Sequence, residues 1–388
     1  MKVYVTAIGA VSALGLNAEE NLHALQSHQT GLTRSDNYGL IMGQVNRSND
    51  QLEAMLDLPA NDHSRTTLLG LLAAREAWQN AGKHNCIRTG MISSTSVGGM
   101  DRTEQYYFDH LKNQDNAHYG KMIHDNGRTT EMMAQQLGIS GYIGTISTAC
   151  SSGANAIMQG ARLIRANKLD RVLAGGAEPL AHFDIRGFQS LGIYDTEICK
   201  PFDDNRMGLN LGEGAAYLLL ENENSIARTG SKPLCTVAGW DNATDAYHQT
   251  ASSPEGKGAA IAMRNALEKA GISIHEINYV NAHGTGTGNN DLSEAMAFQA
   301  VFGKSIPPFS STKGFTGHML AAAGSIEAVF CVQSIKHQVV FPNLNFARPM
   351  KETGLTPVYL FRQEKVDYVL SNSFGFGGNC TCLIFGKV

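Results

Sequence analysis

The chain has 388 residues, of which 43% are hydrophobic and 17% charged, and its net charge is −4. That length exceeds what a single hydrophobic core usually fills, so two domains or one duplicated fold is expected, and the ordinary globular balance excludes extended disorder. The slight acidity speaks against a broad nucleic-acid surface, and with no run of about 18 apolar residues there is no membrane span.

In chain order, strand-like and helix-like segments alternate. Residues 2–8 read as a strand, without the long apolar core of a signal peptide. A helix is predicted over 17–28, with Asn17 as N-cap ahead of Glu19 and Glu20. A longer helix over 64–81 stops at Gly82. A strand over 89–93 enters the Gly98-Gly99 loop, and a helix over 127–137 is closed by Gly138. The apolar run 142–146 leads into Thr148-Ala149-Cys150-Ser151-Ser152-Gly153, followed by a helix with Ala154, Ile157, Ala161, Leu163 and Ile164 on or near one face. Residues 171–176 form a short buried strand, 182–212 read as an irregular functional loop, and 215–220 as an apolar strand.

The polar stretch 221–232 divides an N-terminal half, 1–222, from a C-terminal half, 223–388. In the second half, strands are expected over 234–240, 277–281, 309–312, 366–372 and 381–385, and helices over 258–270, 291–302 and 318–337. The alternation predicts a layered α/β fold with helices covering sheets. An internal echo, Ser147-Thr148-Ala149-Cys150 against Ser310-Ser311-Thr312-Lys313, each followed by an Ala-rich helix, suggests two copies of one unit.

Cys150 is predicted where a strand turns into a helix. Free N–H groups at a helix start stabilise a thiolate and bind an oxyanion. Taken alone, the residue reads first as a buried structural cysteine, since free Cys is among the most buried residue types. The other six cysteines, Cys86, Cys199, Cys235, Cys331, Cys380 and Cys382, are scattered without a CxxC pair, which fits a reduced, cytoplasmic protein.

Three further stretches surround reactive side chains with small residues. His283 stands in Asn281-Ala282-His283-Gly284-Thr285-Gly286-Thr287, after an apolar strand. Lys313, expected as the last residue of a strand, and His318, expected at a helix start, share Ser311-Thr312-Lys313-Gly314-Phe315-Thr316-Gly317-His318. At a helix start the dipole favours a neutral imidazole. Phe374 and Phe376 lie in a glycine-rich turn, Ser373 to Gly378, and suit the wall or gate of an acyl pocket. One Cys with one His would suit a thiol protease. A second histidine and a lysine in matching turns have no use there, and a metal site lacks close ligand partners.

These stretches resemble the elongating β-ketoacyl-[acyl-carrier-protein] synthases, the condensing enzymes of fatty-acid and polyketide synthesis. Also matching are Gly175-Gly176-Ala177-Glu178, Lys200-Pro201-Phe202-Asp203, Gly212-Glu213-Gly214-Ala215 and Asn372-Ser373-Phe374-Gly375-Phe376-Gly377-Gly378, in the family's order and over nearly the whole chain. The resemblance implies a thiolase-like fold, two duplicated α/β halves in five αβαβα layers, and a homodimer or a heterodimer with a related subunit. It implies decarboxylative condensation of malonyl-carrier protein with an acyl group held on Cys150, within fatty-acid or polyene/polyketide elongation. His283 and His318 would act on the malonyl thioester, and the N–H groups of Cys150 and Phe376 would form an oxyanion hole.

Lys313 would give electrostatic support, with Glu294 as its partner. Phe374, Phe376, Val97, Thr285 and Thr287 would contact substrate. No organic cofactor is implied; Asn281, Glu327 and Asn372 match positions around a monovalent cation. Gly286, the Gly288-Asn289-Asn290 run and Asn379-Cys380-Thr381-Cys382 depart from the common bacterial fatty-acid pattern. The alternatives are a chain-length-factor-like partner subunit, which would lack the nucleophile, and a thiolase-type acyltransferase, which would carry a second Cys in the C-terminal glycine loop.

Overall fold

A computed structural model describes residues 1–60, 63–79, 87–113 and 125–388. Ten strands build one sheet: β1 (Tyr4–Val11), β2 (Thr89–Ser94), β3 (Tyr142–Ile146), β4 (Arg171–Glu178), β5 (Gly214–Glu221), β6 (Cys235–Thr244), β7 (Tyr279–Asn281), β8 (Phe309–Ser310), β9 (Tyr368–Gly375) and β10 (Asn379–Gly386). Their order is β8-β7-β9-β10-β6-β1-β5-β4-β2-β3. Each half therefore repeats one arrangement. From the outer edge inward, two parallel pairings are followed by two antiparallel ones: β3-β2-β4-β5-β1 in the first half, β8-β7-β9-β10-β6 in the second. The halves join where Tyr4 and Val5 pair with Thr236 and Cys235.

Helices packed on and around the sheet include α1 (Ala18–Gln26), α2 (Arg65–Gln79), α3 (Asn126–Leu137), α4 (Ser152–Arg165), α5 (His182–Ser190), α6 (Lys257–Ala270), α7 (Gly288–Phe302) and α8 (Ala323–His337). Strand side chains alternate between faces, and here both faces are buried. On β5, Ala215, Tyr217 and Leu219 join α2 residues such as Leu68 and Leu71 in one core. The intervening Ala216, Leu218 and Leu220 join Ile157 and Ile164 of α4 and Val329 and Phe330 of α8 in another. On β10, Cys380, Cys382 and Ile384 face Met263 of α6 and Phe298 of α7, whereas Leu383 and Phe385 face the central core. Helices α2 and α3 thus cover one half, α6 and α7 the other, and α4 and α8 fill the middle. This is the expected duplicated, five-layered αβαβα arrangement.

Local chemistry explains most element ends. Asn17 caps α1 by accepting the Glu20 N–H, as expected. Gly138 and Gly271 close α3 and α6 in the left-handed conformation. The expected stop at Gly82 lies outside the described residues. Three expectations need correction. Residues 182–212 are not wholly irregular, because α5 occupies His182–Ser190. Lys313 is not the end of a strand: β8 stops at Ser310, and Lys313 opens a single helical turn, Lys313–Thr316. His318 is not at the start of the long helix. Gly317 (φ +74°) breaks the backbone, a short 3-10 turn covers Leu320–Ala322, and α8 begins at Ala323.

Candidate active site

Cys150 lies in the turn between β3 and α4. Ala149, just before it, has φ +51°, a left-handed conformation that costs energy for a residue with a Cβ and marks a turn held by its surroundings. The Ser152 hydroxyl braces the turn: it lies within hydrogen-bond distance of the Ala149 carbonyl and accepts the Thr148 N–H at 2.7 Å. The thiol is buried, and burial pushes it up to about 12. Lys313 and the Phe376 N–H, which donates to the sulfur, pull the other way. Burial wins, so at neutral pH the sulfur rests as a thiol rather than the helix-stabilised thiolate expected from sequence.

His283 and His318 line one cavity with Cys150, Phe374 and Phe376. Their rings stand edge to face, with centroids 5.3 Å apart at 84°. Both imidazoles sit well below the ordinary range: burial comes first, then Lys313, and for His283 also His318. Both are therefore neutral at physiological pH. The cause for His318 is burial and a neighbouring cation, not a helix dipole. Lys313 Nζ lies 3.3 Å from His283 Nδ1 and donates to the His283 carbonyl at 2.5 Å. A donor at Nδ1 leaves the imidazole proton on Nε2.

Lys313 forms its ion pair with Glu327 of α8, and both are buried. This corrects the expectation that Glu294 is its partner. Glu294, on α7, instead accepts the N–H groups of His283 at 2.9 Å and Gly284 at 2.8 Å, and the Asn372 amide at 3.0 Å. It fixes the turn that carries His283. Burial raises the Glu294 carboxyl to about 7 against these hydrogen bonds.

Thr285 and Thr287 line the cavity, with hydroxyls 2.9 Å apart. Phe374 packs against His283 at 5.6 Å, and Phe376 stacks on Phe188 of α5 at 5.7 Å. Val97 is not among the residues lining this cavity. It is buried in the turn after β2, where Glu178 accepts the N–H groups of Ser96 and Val97. The same carboxylate accepts the Ala321 N–H, tying that turn to the segment just after His318.

Residues missed in the sequence also shape the cavity. Phe188, Ile193, Leu209, Thr250, Ala251, Ser252 and Cys380 line it. Thr250-Ala251-Ser252-Ser253 is a small polar run like those around the reactive residues, and that was the available signal. A buried carboxyl on α5, Asp184, is raised to about 8 by burial and by Glu178 and Glu104, and its Oδ2 has no partner.

The residues expected around a cation divide between the faces of the second half-sheet. Asn281 follows Tyr279 and Val280, which face the central and outer cores respectively, so alternation turns Asn281 toward α8 and Glu327. Asn372 faces outward, with its amide nitrogen on Glu294. The three side chains do not make one donor shell, and Asn372 drops out as a side-chain ligand. Among the described residues no cluster of His, Cys, Asp and Glu could hold a metal ion.

Most of the chain matches one family. Residues 2–225 match the family described as beta-ketoacyl synthase, N-terminal domain, and residues 234–347 match its C-terminal domain. The chain is a β-ketoacyl synthase family member. It is 32% identical to the 3-oxoacyl-[acyl-carrier-protein] synthase 2 of Staphylococcus aureus (strain MRSA252), covering 100% of this chain and 98% of the relative. The enzyme of the same name from Vibrio cholerae is 31% identical, covering 100% and 99%.

Among solved structures, the ishigamide ketosynthase/chain length factor superposes with TM-score 0.92 at 28% identity, covering 100% and 99%. The ketosynthase ApeO, solved with its chain length factor ApeC from Xenorhabdus doucetiae, gives TM-score 0.84 at 32% identity, covering 100% and 98%. This condensing-enzyme family member has the thiolase-like fold and is an acyltransferase. Among its described residues no helix is long and apolar enough to cross a membrane.

Proposed function

We propose that this β-ketoacyl synthase is a 3-oxoacyl-[acyl-carrier-protein] synthase in fatty-acid or polyene/polyketide elongation. One observation carries the reading: two neutral imidazoles stand edge to face on the cavity that also holds Cys150, with Lys313 behind them. The Cys150 sulfur attacks an acyl thioester. A new carbon–sulfur bond forms, the carrier thiol leaves, and the Cys150 proton ends on that thiol. The malonyl thioester then enters. His283 and His318 donate to its carbonyl oxygen as carbon dioxide departs and an enolate forms. Fixed donors act most strongly there, because charge grows on that oxygen in the transition state.

The enolate carbon attacks the acyl carbonyl, whose oxygen sits between the N–H groups of Cys150 and Phe376. The carbon–sulfur bond breaks, Cys150 regains a proton from solvent, and a 3-oxoacyl thioester two carbons longer is released. Neutral imidazoles suit this task. They donate without protonating the enolate, which must stay nucleophilic.

An acyl-loaded and a malonyl-loaded carrier protein are the partners, and the chain works as a homodimer or beside a related subunit. Supporting this, a relative 26% identical was solved with a type II polyketide acyl-carrier protein, and two others with chain length factors. Cys150, His283 and His318 are all present, which sets the chain apart from a non-catalytic chain-length-factor-like subunit. Phe374 and Phe376 occupy the C-terminal glycine loop, where a thiolase-type enzyme would place its second cysteine. A reducing cytoplasm is the compartment proposed, consistent with six unpaired, buried cysteines among the described residues.

The test is intact-mass spectrometry with acyl- and malonyl-loaded carrier proteins. The wild type gains one acyl group on Cys150 and yields the elongated product. Cys150→Ala gives neither yet still releases carbon dioxide from the malonyl thioester. Elongation by Cys150→Ala would show the nucleophile to be wrong.

A monovalent cation is proposed on the inner face of the second half-sheet. Asn281 Oδ1, Glu327 Oε2 and Ser371 Oγ are buried without hydrogen-bond partners, and hard oxygen donors of this kind suit such an ion. The ion would supply fixed positive charge under the Lys313–Glu327 pair. Replacing potassium and sodium by choline at equal ionic strength is expected to lower Tm by about 1–2 °C, the order of a 1 kcal/mol linkage effect in a chain of this length. Identical melting curves would remove the ion.

A further inference from the structure

We propose that Asn379 is a positioning residue that sets the oxyanion hole by tying together the two segments whose N–H groups form it. This rests on the roles given above to Cys150 and Phe376. Asn379 opens β10, three residues after Phe376 and directly after Gly377 and Gly378, both at φ +82°. Its Oδ1 lies 2.6 Å from the hydroxyl of Ser151, the residue next to Cys150. The same oxygen is 2.9 Å from Asn155 Nδ2, 2.7 Å from Asn242 Nδ2 and 3.3 Å from Thr381 Oγ1. One side-chain oxygen therefore joins the Cys150 turn, helix α4, strand β6 and the phenylalanine loop.

The rest of the geometry explains why such a tie matters. The Cys150 turn holds the strained Ala149, and strain of this kind persists only where surroundings over-determine it. The phenylalanine loop approaches that turn closely: a Cβ built on Gly375 would lie 2.7 Å from the Thr148 carbonyl and 3.2 Å from Cys150 N. On its outer side the loop is held by two backbone hydrogen bonds. Gly377 N–H donates to Gln249 at 2.7 Å, and Asp245 N–H donates to Gly378 at 2.7 Å.

The Asn155 and Asn242 amides donate to this oxygen, and the Ser151 and Thr381 hydroxyls, which also reach the Thr148 carbonyl and Asn155 Oδ1, lie within hydrogen-bond distance of it, so its two lone pairs are fully used. An acceptor is what the site requires, and a carboxylate in its place meets that requirement at least as well. Sequence position 379 is also one of the departures from the common fatty-acid pattern. The structure gives that departure a task.

The test separates two half-reactions that use different machinery. Acyl transfer to Cys150 and the condensation use the oxyanion hole, whereas malonyl-thioester decarboxylation uses His283 and His318. Removing an oxyanion-hole donor outright costs about 10²–10³ in rate, so loosening its geometry in Asn379→Ala is expected to slow acylation of Cys150 by about 10-fold or more. Decarboxylation by the same variant changes less than about 2-fold, and Asn379→Asp restores acylation to within about 3-fold of the wild type.

Acylation of Asn379→Ala at the wild-type rate overturns the inference while leaving the condensing reaction in place. Equal loss of both half-reactions together with a lower Tm also overturns it, because Asn379 would then be structural only. If the wild type acylates with no thioester, the functional reading itself fails.

Discussion

Cys150 combines two opposed requirements. In the proposed reaction it must reach a buried acyl chain, so it is desolvated, and it must attack, so it needs a thiolate. Desolvation prevails at rest and holds the thiol near 12, with Lys313 and the Phe376 N–H as partial compensation. A raised pKa means that the thiolate fraction still grows about tenfold per pH unit through the neutral range. Alkylation of Cys150 by iodoacetamide, followed by mass spectrometry, is therefore expected to accelerate from about pH 7 to about pH 10 without a plateau. A plateau below about pH 8.5 would show the thiol to be activated in the free enzyme.

The reactive residues announce themselves in sequence because each must be approached closely, and close approach requires small neighbours. Their partners do not. Glu294 and Glu327 are both buried acids, both raised to about 7. Only the packing of α8 against the Lys313 turn decides that Glu327 takes the lysine and Glu294 the backbone of His283.

At the level of elements, the two central helices meet backbone to backbone. A Cβ on Gly153 of α4 would lie 2.7 Å from Ser325 N and 2.9 Å from Ala321 O. One on Gly324 of α8 would lie 2.8 Å from Ala154 N and 2.6 Å from Ser373 Oγ. Each glycine occupies the first turn of its helix, so the contact brings the Cys150 helix and the segment after His318 together. Gly153→Ala is expected to cost about 1–3 kcal/mol through overpacking, read by urea denaturation.

Gly187, in the middle of α5, has nothing within 4 Å of a built Cβ. Gly187→Ala should be neutral or stabilising by about 0.5–1 kcal/mol. Equal effects of the two substitutions would contradict the assigned packing. Strand and helix positions were largely legible, because apolar runs ended by glycine leave few alternatives. The α5 helix was hidden, since its buried face combines Ile185 with a carboxylic acid, Asp184, while Phe183 is exposed, and propensity alone marks it poorly.

The whole molecule is a single cooperative object built from two copies of one design. The central core takes residues from β4, β5, β9 and β10 as well as α4 and α8, and the sheet is continuous through the β1–β6 pairing. Neither half closes its own inner face. Urea unfolding followed by tryptophan fluorescence and by circular dichroism is therefore expected to give one coincident transition. A segment covering 1–222 alone is expected to expose the face that α8 covers, and to aggregate. Two separated transitions, or a soluble and cooperatively folded half, would contradict this.

The chain's own residues determined the β/α alternation, the duplication and the candidate site residues Cys150, His283, His318 and Lys313, because local periodicity and small-residue turns encode them directly. Tertiary structure alone decided what each group faces. Burial made Cys150 a thiol and both imidazoles neutral, brought Glu327 rather than Glu294 to Lys313, and placed Asn379 beside Ser151. Each of those outcomes depends on desolvation and on contacts between segments distant in sequence, and neither has a local signature.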